Sequence, residues 1–471
     1  MLSFDFIKNT LLSNNELEAF VFGKGNFGVI EFCLNSKSIS NNSCFVAFEG
    51  EKNNGNEFLK EAFENGALGC IIDSKYKNFY LNDCSKFHEK TWCLAVKNVK
   101  EAYLYLAEKW KELFKGIKSI GITGSVGKTT TKEILGHVLK KAGHIPLITK
   151  NSENGIIGLA NTLLRLRGHH TIIVCEVGIS KIGEMEKLSK ALKPDIGVIT
   201  YVGKAHLTGL KDLKTIAAEK SKLFNYLNNE GFVIINGDCI ELTKLQYPGK
   251  VITFGQRKTN KVRLSRIVFA LNFISGHLSI DEKSSTIRLK SINLGFANSV
   301  LAAAGVSTAL NIQYELLKEA LQEFVPVDGR FNIVKSKIGG FFINDAYNAN
   351  PESMKTSLVA FEKIDKTKKK LLVIGDMLEL GEFSDFEHKK IINFLKNFEN
   401  IKDIILVGKI ITKFEKQIPL WMNSYSFSDW ESATECIENF LKKEYLVLLK
   451  ASNSIKLGNI ILKINNNLNL G

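Results

Sequence analysis

The sequence lacks the features that would place the protein in a membrane or outside the cell. No apolar stretch is long enough to cross a bilayer, since a spanning helix needs about 20 consecutive apolar residues. Residues 1–10 have no long apolar core and do not resemble a signal peptide. We therefore expect a soluble, cytoplasmic protein with no stable membrane insertion.

The cysteines show none of the paired spacings that metal-binding cysteines adopt. Most of them lie among apolar neighbours, as buried free thiols do. Free thiols suit a reducing compartment, which agrees with a cytoplasmic location. The eight cysteines are at positions 33, 44, 70, 84, 93, 175, 239 and 436.

A recognition motif for nucleic acid is also missing, although the chain is basic. It has 63 Lys and Arg against 49 Asp and Glu, a formal net charge of +14. The lysines are spread along the chain, with one short run at 368–370. We interpret the excess as solvated faces and attraction for an anionic substrate, with nucleic-acid binding as the alternative. No apolar seam for a partner subunit stands out, so we expect a monomer.

The 471 residues contain no internal repeat and are long enough for two or three domains. Apolar runs alternate with helical patterns, which predicts the α/β class. We expect three α/β domains: an N-terminal domain at 1–115, a central domain with a parallel sheet at 116–325 and a C-terminal domain at 326–471. Alternating apolar positions at 250–292 predict a more antiparallel segment within the central domain.

Nearly continuous apolar runs predict buried parallel strands. In the central and C-terminal domains these runs are 120–123, 171–175, 196–202, 232–235, 371–374, 404–407 and 446–449. The N-terminal domain has short predicted strands at 44–48 and 69–73, with a helix at 57–65 between them. An alanine-rich helix is predicted at 298–310.

A glycine-rich turn follows the first of these central strands and precedes a helical pattern. Residues 121–131 read GITGSVGKTTT. Glycines let backbone N–H groups approach phosphate oxygens, and a helix start adds free donors and partial positive charge. Lys128 would reach the β- and γ-phosphates, and the Thr129 hydroxyl would hold Mg²⁺. We therefore predict that ATP or GTP binds at Gly124, Ser125, Val126, Gly127, Lys128, Thr129 and Thr130.

The common phosphate loop has a glycine six residues before its lysine, where this chain has Ile122. The shorter loop of this chain resembles that of the Mur ligase family. Residues 345–354 (DAYNANPESM) and 375–381 (GDMLELG) resemble signatures of the family branch that adds D-alanyl-D-alanine. Together with Gly329-Arg330 these motifs follow the order of the family and span nearly the whole chain.

The resemblance implies that the domain at 1–115 binds the UDP substrate, that the domain at 116–325 is a P-loop ATPase-like domain and that the domain at 326–471 is Rossmann-like. It also implies a peptide-adding step of peptidoglycan synthesis. ATP phosphorylates the terminal carboxylate of UDP-N-acetylmuramoyl-tripeptide, and the amine of D-alanyl-D-alanine attacks the acyl phosphate. The products are UDP-N-acetylmuramoyl-pentapeptide, ADP and phosphate. A carboxylate is a poor electrophile, and phosphorylation gives it a leaving group. Lys128, Mg²⁺ and further cations must offset the crowded negative charge.

Two candidate Mg²⁺ ligands follow predicted strands. Glu176 comes directly after 171–175 and suits Mg²⁺, with a capping or solvated acid as the alternative. His206 follows 196–202 and resembles the histidine ligand of a second Mg²⁺ in the family. A structural histidine is the alternative there.

Lys220 matches the carbamylated lysine of the family. Addition of CO₂ to a neutral amine makes a lysine carbamate, which is a carboxylate-like ligand for Mg²⁺. Lys222 is the competing candidate, and we prefer Lys220 because of its offset from Phe224. Two exposed helix lysines are the structural alternative.

The resemblance implies further nucleotide contacts. Asn154 would touch phosphate or metal-bound water, and Asn298 matches an adenine-site asparagine; a helix cap or turn is the alternative for both. Arg330 would lie over the nucleotide, where its guanidinium suits phosphate and couples domain closure to ATP. Asp345 resembles the acid that holds ribose or a bridging group.

The remaining site predictions concern the two substrates. Tyr347, Asn348 and Asn350 would line the entry for D-alanyl-D-alanine, with loop building as the alternative for the asparagines. For the UDP end, Asn35-Ser36-Lys37 and Asn54-Gly55-Asn56 resemble altered family motifs. Ser36 and the backbone near Phe48 and Gly50 are the contacts that we predict there.

Three other functions fit parts of the sequence. A related amide ligase, tripeptide-forming or folylpolyglutamate-type, shares the phosphate loop but does not account for the two C-terminal motifs. A phosphate-loop ATPase without ligase activity leaves residues 345–354 unexplained. A non-catalytic nucleotide-binding protein would not need Glu176, His206 and Lys220 together with Lys128.

Overall fold

The computed structural model describes residues 1–23, 28–50, 53–77, 87, 91–150, 153–203, 212–228, 230–270, 273–291, 293–326, 328–365, 367–378 and 380–466. The chain divides into two compact units, each formed from more than one segment. The first comprises 1–120, 145–177 and 186–194, and the second comprises 121–144, 178–185 and 195–471.

The N-terminal part of the first unit is built on a five-stranded sheet in the order β2-β7-β6-β5-β4. Strands β4 to β7 run parallel, and β2 pairs antiparallel with β7. The strands are β1 Leu2–Ser3, β2 Leu17–Gly23, β3 Gly28–Val29, β4 Glu31–Cys33, β5 Ser43–Val46, β6 Gly69–Asp73 and β7 Trp92–Val96. The helices are α1 Phe4–Ser13, α2 Leu59–Glu64 and α3 Val99–Glu112.

Helix α3 packs against a helix that comes much later in the chain, α5 (Ile156–Leu164). The Tyr103 hydroxyl donates to Asn161 Oδ1, and the Trp110 indole N–H donates to the carbonyl of Leu166 at 3.1 Å. Both ends of α3 are thus fixed to residues that lie in the 145–177 segment of the first unit.

Strand β8 (Lys118–Thr123) begins in the first unit and ends in the second. Its nine-stranded sheet has the order β16-β15-β14-β13-β12-β11-β8-β10-β9. The other strands are β9 Pro146–Ile148, β10 Ile172–Glu176, β11 Ile196–Ile199, β12 Phe232–Asn236, β13 Lys250–Gly255, β14 Val262–Phe269, β15 Ile274–Ile280 and β16 Lys283–Leu289. The helices, besides α5, are α4 Lys128–Lys141, α6 Glu184–Leu192, α7 Leu213–Ser221, α8 Ile240–Thr243, α9 Leu294–Ala309 and α10 Tyr314–Glu323.

The antiparallel prediction for 250–292 is right for β14, β15 and β16 but wrong for β13. Strand β13 pairs in parallel with both β12 and β14. The apolar alternation of this segment indicates that one face of a strand is more exposed than the other, as in β15, where burial alternates along the whole strand. It carries no information on strand direction, because parallel and antiparallel strands share the two-residue period.

The C-terminal sheet has six strands in the order β17-β18-β22-β19-β20-β21. All its pairings are parallel except that of β17 with β18. Strands β19, β20 and β22 are buried along their whole length, with an apolar core on each face of the sheet, which explains their continuous apolar runs. The strands are β17 Asn332–Lys335, β18 Phe341–Asn344, β19 Lys370–Gly375, β20 Asp403–Val407, β21 Asn423–Phe427 and β22 Leu446–Lys450, and the helices are α11 Pro351–Lys363, α12 Ser384–Phe394, α13 Trp430–Leu441 and α14 Gly458–Asn466.

Parallel sheets combined with helices confirm the predicted α/β class. The seven described cysteines are free, and all but Cys436 are buried, while Cys84 lies outside the described residues. Of the helices that the structure describes, none is both long enough and apolar enough to span a bilayer.

Candidate active site

The phosphate loop between β8 and α4 adopts backbone angles that only glycine accepts readily. Gly124 has a φ of +148° and Gly127, which caps α4, a φ of +84°. A Cβ on Gly124 would lie 2.0 Å from Thr200 Oγ1, so any side chain would collide there. The Lys128 ammonium donates to the Gly124 carbonyl at 2.9 Å, which folds its side chain back over the loop. The geometry is that of a phosphate-binding turn at a helix N-terminus.

The end of strand β11 holds this loop in place. Thr200 N–H donates to the Thr123 carbonyl at 2.9 Å, and Ser125 N–H donates to the Tyr201 carbonyl at 2.8 Å. The Ser125 hydroxyl donates to the Gly203 carbonyl at 2.9 Å and accepts from the Gly203 N–H at 3.0 Å. The predicted strand 196–202 ends at Ile199. Thr200 still bonds to the last residue of β8, whereas Tyr201 and Gly203 bond to Ser125 of the loop.

Helix α9 lies against the same loop. The Ser299 hydroxyl donates to the carbonyl of Gly295, at 3.1 Å, and lies 3.5 Å from that of Gly127. Asn293, not Asn298, caps this helix by accepting from Gly295 N–H at 2.7 Å. Asn298 is half-buried on α9 beside Ser299, and its adenine contact stays a prediction.

In the first unit the structure brings Glu176 and Asn154 together. Glu176 is the last residue of β10 and is buried, and its carboxylate accepts from Asn154 Nδ2 at 2.8 Å. Its N–H donates to Thr149 Oγ1 at 3.1 Å. A buried carboxylate that is oriented by an amide is the kind of hard oxygen donor that Mg²⁺ prefers. These two residues therefore fit the predicted roles.

Burial separates the two lysines that competed for the carbamate. Lys220, near the end of α7, is 3% exposed, whereas the side chain of Lys222 is 36% exposed and forms an ion pair with Glu219 at 2.7 Å. Burial, and then the charge of Lys128, lower the pKa of Lys220 to about 7, against an opposing effect of Glu219. An amine with this pKa is about half neutral near pH 7, and CO₂ adds to the neutral form.

His206, another predicted metal ligand, lies outside the described residues. Across the described ranges there is no cluster of three or more His, Cys, Asp and Glu that could hold a metal ion. The predicted set needs no such cluster, because Mg²⁺ in nucleotide sites is bound largely by phosphates and water with one or two protein carboxylates.

Asp345 forms a buried ion pair that the sequence analysis missed. Its Oδ2 lies 2.8 Å from Nζ of Lys450, the last residue of β22, and accepts from the Ser357 hydroxyl. Lys450 is 3% exposed and also donates to the Asn348 carbonyl at 2.9 Å. Burial lowers the pKa of Lys450, and the charge of Asp345 opposes this shift. The sequence signal that could have identified Lys450 is its position directly after the apolar run 446–449.

This ion pair makes a testable contribution to stability. Lys450→Met would leave the Asp345 carboxylate buried without its cation, and we expect the free energy of unfolding to fall by about 3 kcal/mol. Urea unfolding of the full chain measures the change. Lys443→Met, at an exposed site in the turn before β22, is the control and should change stability by less than about 0.5 kcal/mol. Equal stabilities for the two variants would contradict the prediction.

Arg330 is oriented by an aromatic ring. Its guanidinium carbon lies 3.9 Å from the centroid of the Tyr347 ring, an arrangement that stabilises a cation. Tyr347 N–H donates to the carbonyl of Gly329 at 3.1 Å, and Gly329 has a φ of +73°. The glycine thus makes the turn that stacks Arg330 on Tyr347, so two predicted site residues lie in contact.

The two asparagines of this loop bond within the chain. Asn350 caps α11, accepting from Ser353 N–H at 2.9 Å, and its Nδ2 lies 3.5 Å from the Ser125 carbonyl. Asn348 Oδ1 accepts from the N–H of Ala349 at 2.9 Å. Both asparagines thus make bonds that order the loop, and their contact with a dipeptide stays a prediction.

The predicted UDP-site residues are also tied into the fold. The Ser36 hydroxyl is buried and donates to Glu61 Oε2 at 2.7 Å. The carbonyl of Phe48 accepts from Gly55 N–H at 2.7 Å, and Gly50 N–H donates to the carbonyl of Asn53 at 2.9 Å. These bonds order the loops around the site but occupy the Ser36 hydroxyl.

A cavity of about 350 Å³ lies in the first unit, and no sequence pattern indicated it. Segment 30–38 forms one wall, and residues around α5 form the other. Arg165 Nε and Glu153 Oε2 are buried atoms without a hydrogen-bond partner among the described residues, and the Arg165 Nη1–Glu153 Oε2 distance of 3.8 Å is loose. Its polar lining residues are Glu31, Asn35, Ser38, Tyr103, Lys150, Glu153, Asn161 and Arg165. Unsatisfied polar atoms beside a cavity of this size favour a polar ligand.

Two family models match consecutive parts of the chain. The model of the Mur ligase middle domain matches residues 122–307, and the model of the Mur ligase glutamate ligase domain matches residues 329–453. Together they span about two thirds of the chain and include the phosphate loop, Lys220 and the Asp345–Lys450 pair.

Curated relatives and solved structures match almost end to end. UDP-N-acetylmuramoyl-tripeptide–D-alanyl-D-alanine ligase of Bacillus subtilis is 28% identical, over 90% of this chain and 91% of the relative. The protein of the same name from Borreliella burgdorferi is 29% identical, over 97% and 98%. A crystal structure of MurF ligase from Thermotoga maritima in complex with ADP has a TM-score of 0.80 at 26% identity, covering 93% of this chain and 98% of the other.

Proposed function

The chain belongs to the Mur ligase family, and from that premise we propose that it joins D-alanyl-D-alanine to UDP-N-acetylmuramoyl-tripeptide. ATP would supply the driving force through an acyl phosphate, and the products would be the pentapeptide nucleotide, ADP and phosphate. The observation that carries the proposal is a phosphate loop whose lysine lies within electrostatic reach of a buried, readily neutralised lysine, Lys220. The names of the near full-length relatives support the same reaction.

The second unit supplies the residues for ATP. Backbone N–H groups of 124–130 and the N-terminus of α4 would bind the phosphates, and Lys128 would neutralise charge on the β- and γ-phosphates. We propose Asn298, Arg330 and Asp345 as further nucleotide contacts. The stacking of Arg330 on Tyr347 limits the directions in which its guanidinium can point.

We propose Mg²⁺ as the metal and, individually, Glu176, Thr129, His206 and the carbamate of Lys220 as its ligands. When bound, Mg²⁺ would polarise phosphate oxygens and offset their charge. The chain contributes a buried carboxylate that Asn154 orients at Glu176 and a buried amine at Lys220 whose pKa permits CO₂ addition.

The first unit offers a site for the precursor. Its cavity adjoins the predicted UDP contacts near Ser36, and the polar atoms left unsatisfied at Arg165 and Glu153 suit a peptide or sugar. We also propose the domain ranges 1–115, 116–325 and 326–471. The dipeptide would bind at Tyr347, Asn348 and Asn350. We further propose a monomeric, cytoplasmic enzyme.

The low pKa of Lys220 predicts that carbamate formation depends on pH. Because burial holds the pKa near 7, below the ordinary value for lysine, the proton leaves as the pH rises through about 7. The amine is therefore mostly protonated at about pH 6 and mostly neutral at about pH 8. With ¹³C-bicarbonate, the carbamate NMR signal should be several-fold stronger at the higher pH. A signal of the same strength at both, or one that survives in Lys220→Ala, would contradict the assignment.

Phosphate release from ATP and Mg²⁺ tests the function. Release should require UDP-N-acetylmuramoyl-tripeptide and D-alanyl-D-alanine together. A control pair, UDP-N-acetylmuramoyl-dipeptide with a diamino acid, should give none. Release with no acceptor would indicate a simple ATPase, and release with the control pair would indicate the tripeptide-forming ligase.

A further inference from the structure

The carboxylate of Glu352 lies where helix α11 meets the end of strand β11, and none of the roles above includes it. Glu352 is the second residue of α11. A Cβ placed on Gly203 would lie 2.7 Å from Glu352 Cγ, so the glycine makes room for this side chain. Burial, followed by the charge of Glu352, raises the pKa of Tyr201 to about 12. The close approach to Gly203 thus places the Glu352 side chain beside 201–203, and the effect on Tyr201 is its electrostatic consequence.

The segment that Glu352 reaches is the one that holds the phosphate loop. Tyr201 and Gly203 bond to the backbone and hydroxyl of Ser125 at 2.8 to 3.0 Å. Asn350, two residues before Glu352, lies 3.5 Å from the Ser125 carbonyl through its Nδ2. The first turn of α11 is therefore packed on the rim of the loop that would bind the phosphates.

An acidic side chain at this rim is electrostatically unfavourable once a nucleotide binds. Carboxylate and phosphate repel each other, and the repulsion is stronger near a protein surface than in bulk water. Within the described ranges, no ion pair or hydrogen bond engages the Glu352 carboxylate. The other acid that acts on Tyr201 is Glu241, which adds negative charge. A cation that arrives with the substrate would remove this penalty.

We propose that Glu352 binds the α-ammonium group of D-alanyl-D-alanine. This inference rests on the proposed function and assigns to a residue of this chain the recognition of the free amino terminus. The ammonium is the one positive charge that the dipeptide carries, and it must lose a proton before its nitrogen can attack the phosphorylated carboxylate. The Glu352 carboxylate that binds the ammonium can accept this proton. An acidic group beside the phosphate loop binds that cation where it is needed and disfavours dipeptides whose amine is blocked.

Glu352→Gln in the full chain is the test, since it keeps the shape and removes the charge. With ATP and the tripeptide nucleotide saturating, KM for D-alanyl-D-alanine should rise about tenfold, or about 1.4 kcal/mol, while KM for ATP stays within about twofold. N-acetyl-D-alanyl-D-alanine, which lacks the ammonium, should inhibit wild type and variant with the same constant. The proposal would be overturned if N-acetyl-D-alanyl-D-alanine inhibited the variant about tenfold more weakly than wild type. An unchanged KM for D-alanyl-D-alanine would overturn it as well.

Two further variants separate recognition from folding. Glu352→Asp keeps the charge and should recover most of the KM, whereas a purely structural role would make it no better than Gln. Glu362→Gln, the same substitution near the end of the same helix, should leave both KM values unchanged. Wild-type enzyme that releases no phosphate on addition of the dipeptide would refute the proposed function itself, whereas normal wild-type activity with an unaffected Glu352→Gln would refute only this inference.

Discussion

Lys128→Ala is expected to lower turnover by roughly 10³- to 10⁵-fold, the range found when a charge-stabilising cation is removed from a phosphoryl-transfer site. The variant keeps the backbone donors of the loop, because the glycine angles do not depend on the lysine. It loses the one charged side chain of the loop, whose ammonium donates to the Gly124 carbonyl at 2.9 Å. Steady-state phosphate release with all substrates saturating measures the effect.

Lys140→Ala is the matched control for this variant. Lys140 is in the last turn of the same helix and is exposed, so its loss should change turnover by less than about twofold. Wild-type rates in Lys128→Ala would remove the ATP-site assignment. Because the charge of Lys128 helps to lower the pKa of Lys220, the variant should also raise that pKa and weaken CO₂ uptake at neutral pH.

Lys220→Ala should also be strongly impaired. Loss of the proposed carbamate removes a metal ligand and with it several kcal/mol of charge stabilisation in the transition state. We therefore expect turnover to fall on the order of 10³-fold. The buried side chain leaves a space that a small carboxylate such as acetate can enter and occupy in place of the carbamate. We therefore expect added acetate to restore part of the activity, which the same phosphate-release assay measures.

Lys222→Ala provides the comparison on the neighbouring turn. Its side chain is 36% exposed, and its partner Glu219 also accepts from Gly183 N–H at 2.7 Å, so activity should be retained. If Lys222→Ala instead loses activity that acetate restores, Lys222 and not Lys220 would be the residue that forms the carbamate. Full activity of Lys220→Ala without any added carboxylate would remove Lys220 from the mechanism.

The sequence predicts the buried strands well because their signal is local. The predicted strand 69–73 coincides with β6, and 446–449 differs from β22 by one residue. The errors arise where tertiary bonds override local pattern. The predicted strand 196–202 stops early because Tyr201 and Gly203 bond to Ser125 of the phosphate loop. The pairing of β13 depends on neighbouring strands that its own sequence does not specify.

The candidate site also contains residues that the sequence identifies and residues that only the fold brings together. The loop from Gly124 to Lys128 is contiguous, so its glycines and lysine could be read directly. Lys450 and Asp345 are separated by 105 residues, and only the pairing of β18 with β22 brings them together. The cavity likewise combines Asn35 with Arg165, whose proximity no periodic pattern encodes.

The docking of α3 on α5 bears on the order in which the chain can fold during synthesis. Residues 1–115 leave the ribosome before the partners of Tyr103 and Trp110 exist, because Asn161 and Leu166 are made later. Until then the flank of α3 that will face α5 has only water or a chaperone to cover it. A fragment cut after 115 would keep that flank open permanently, so an expression fragment for the first unit must extend through at least 177 to include its own covering helix.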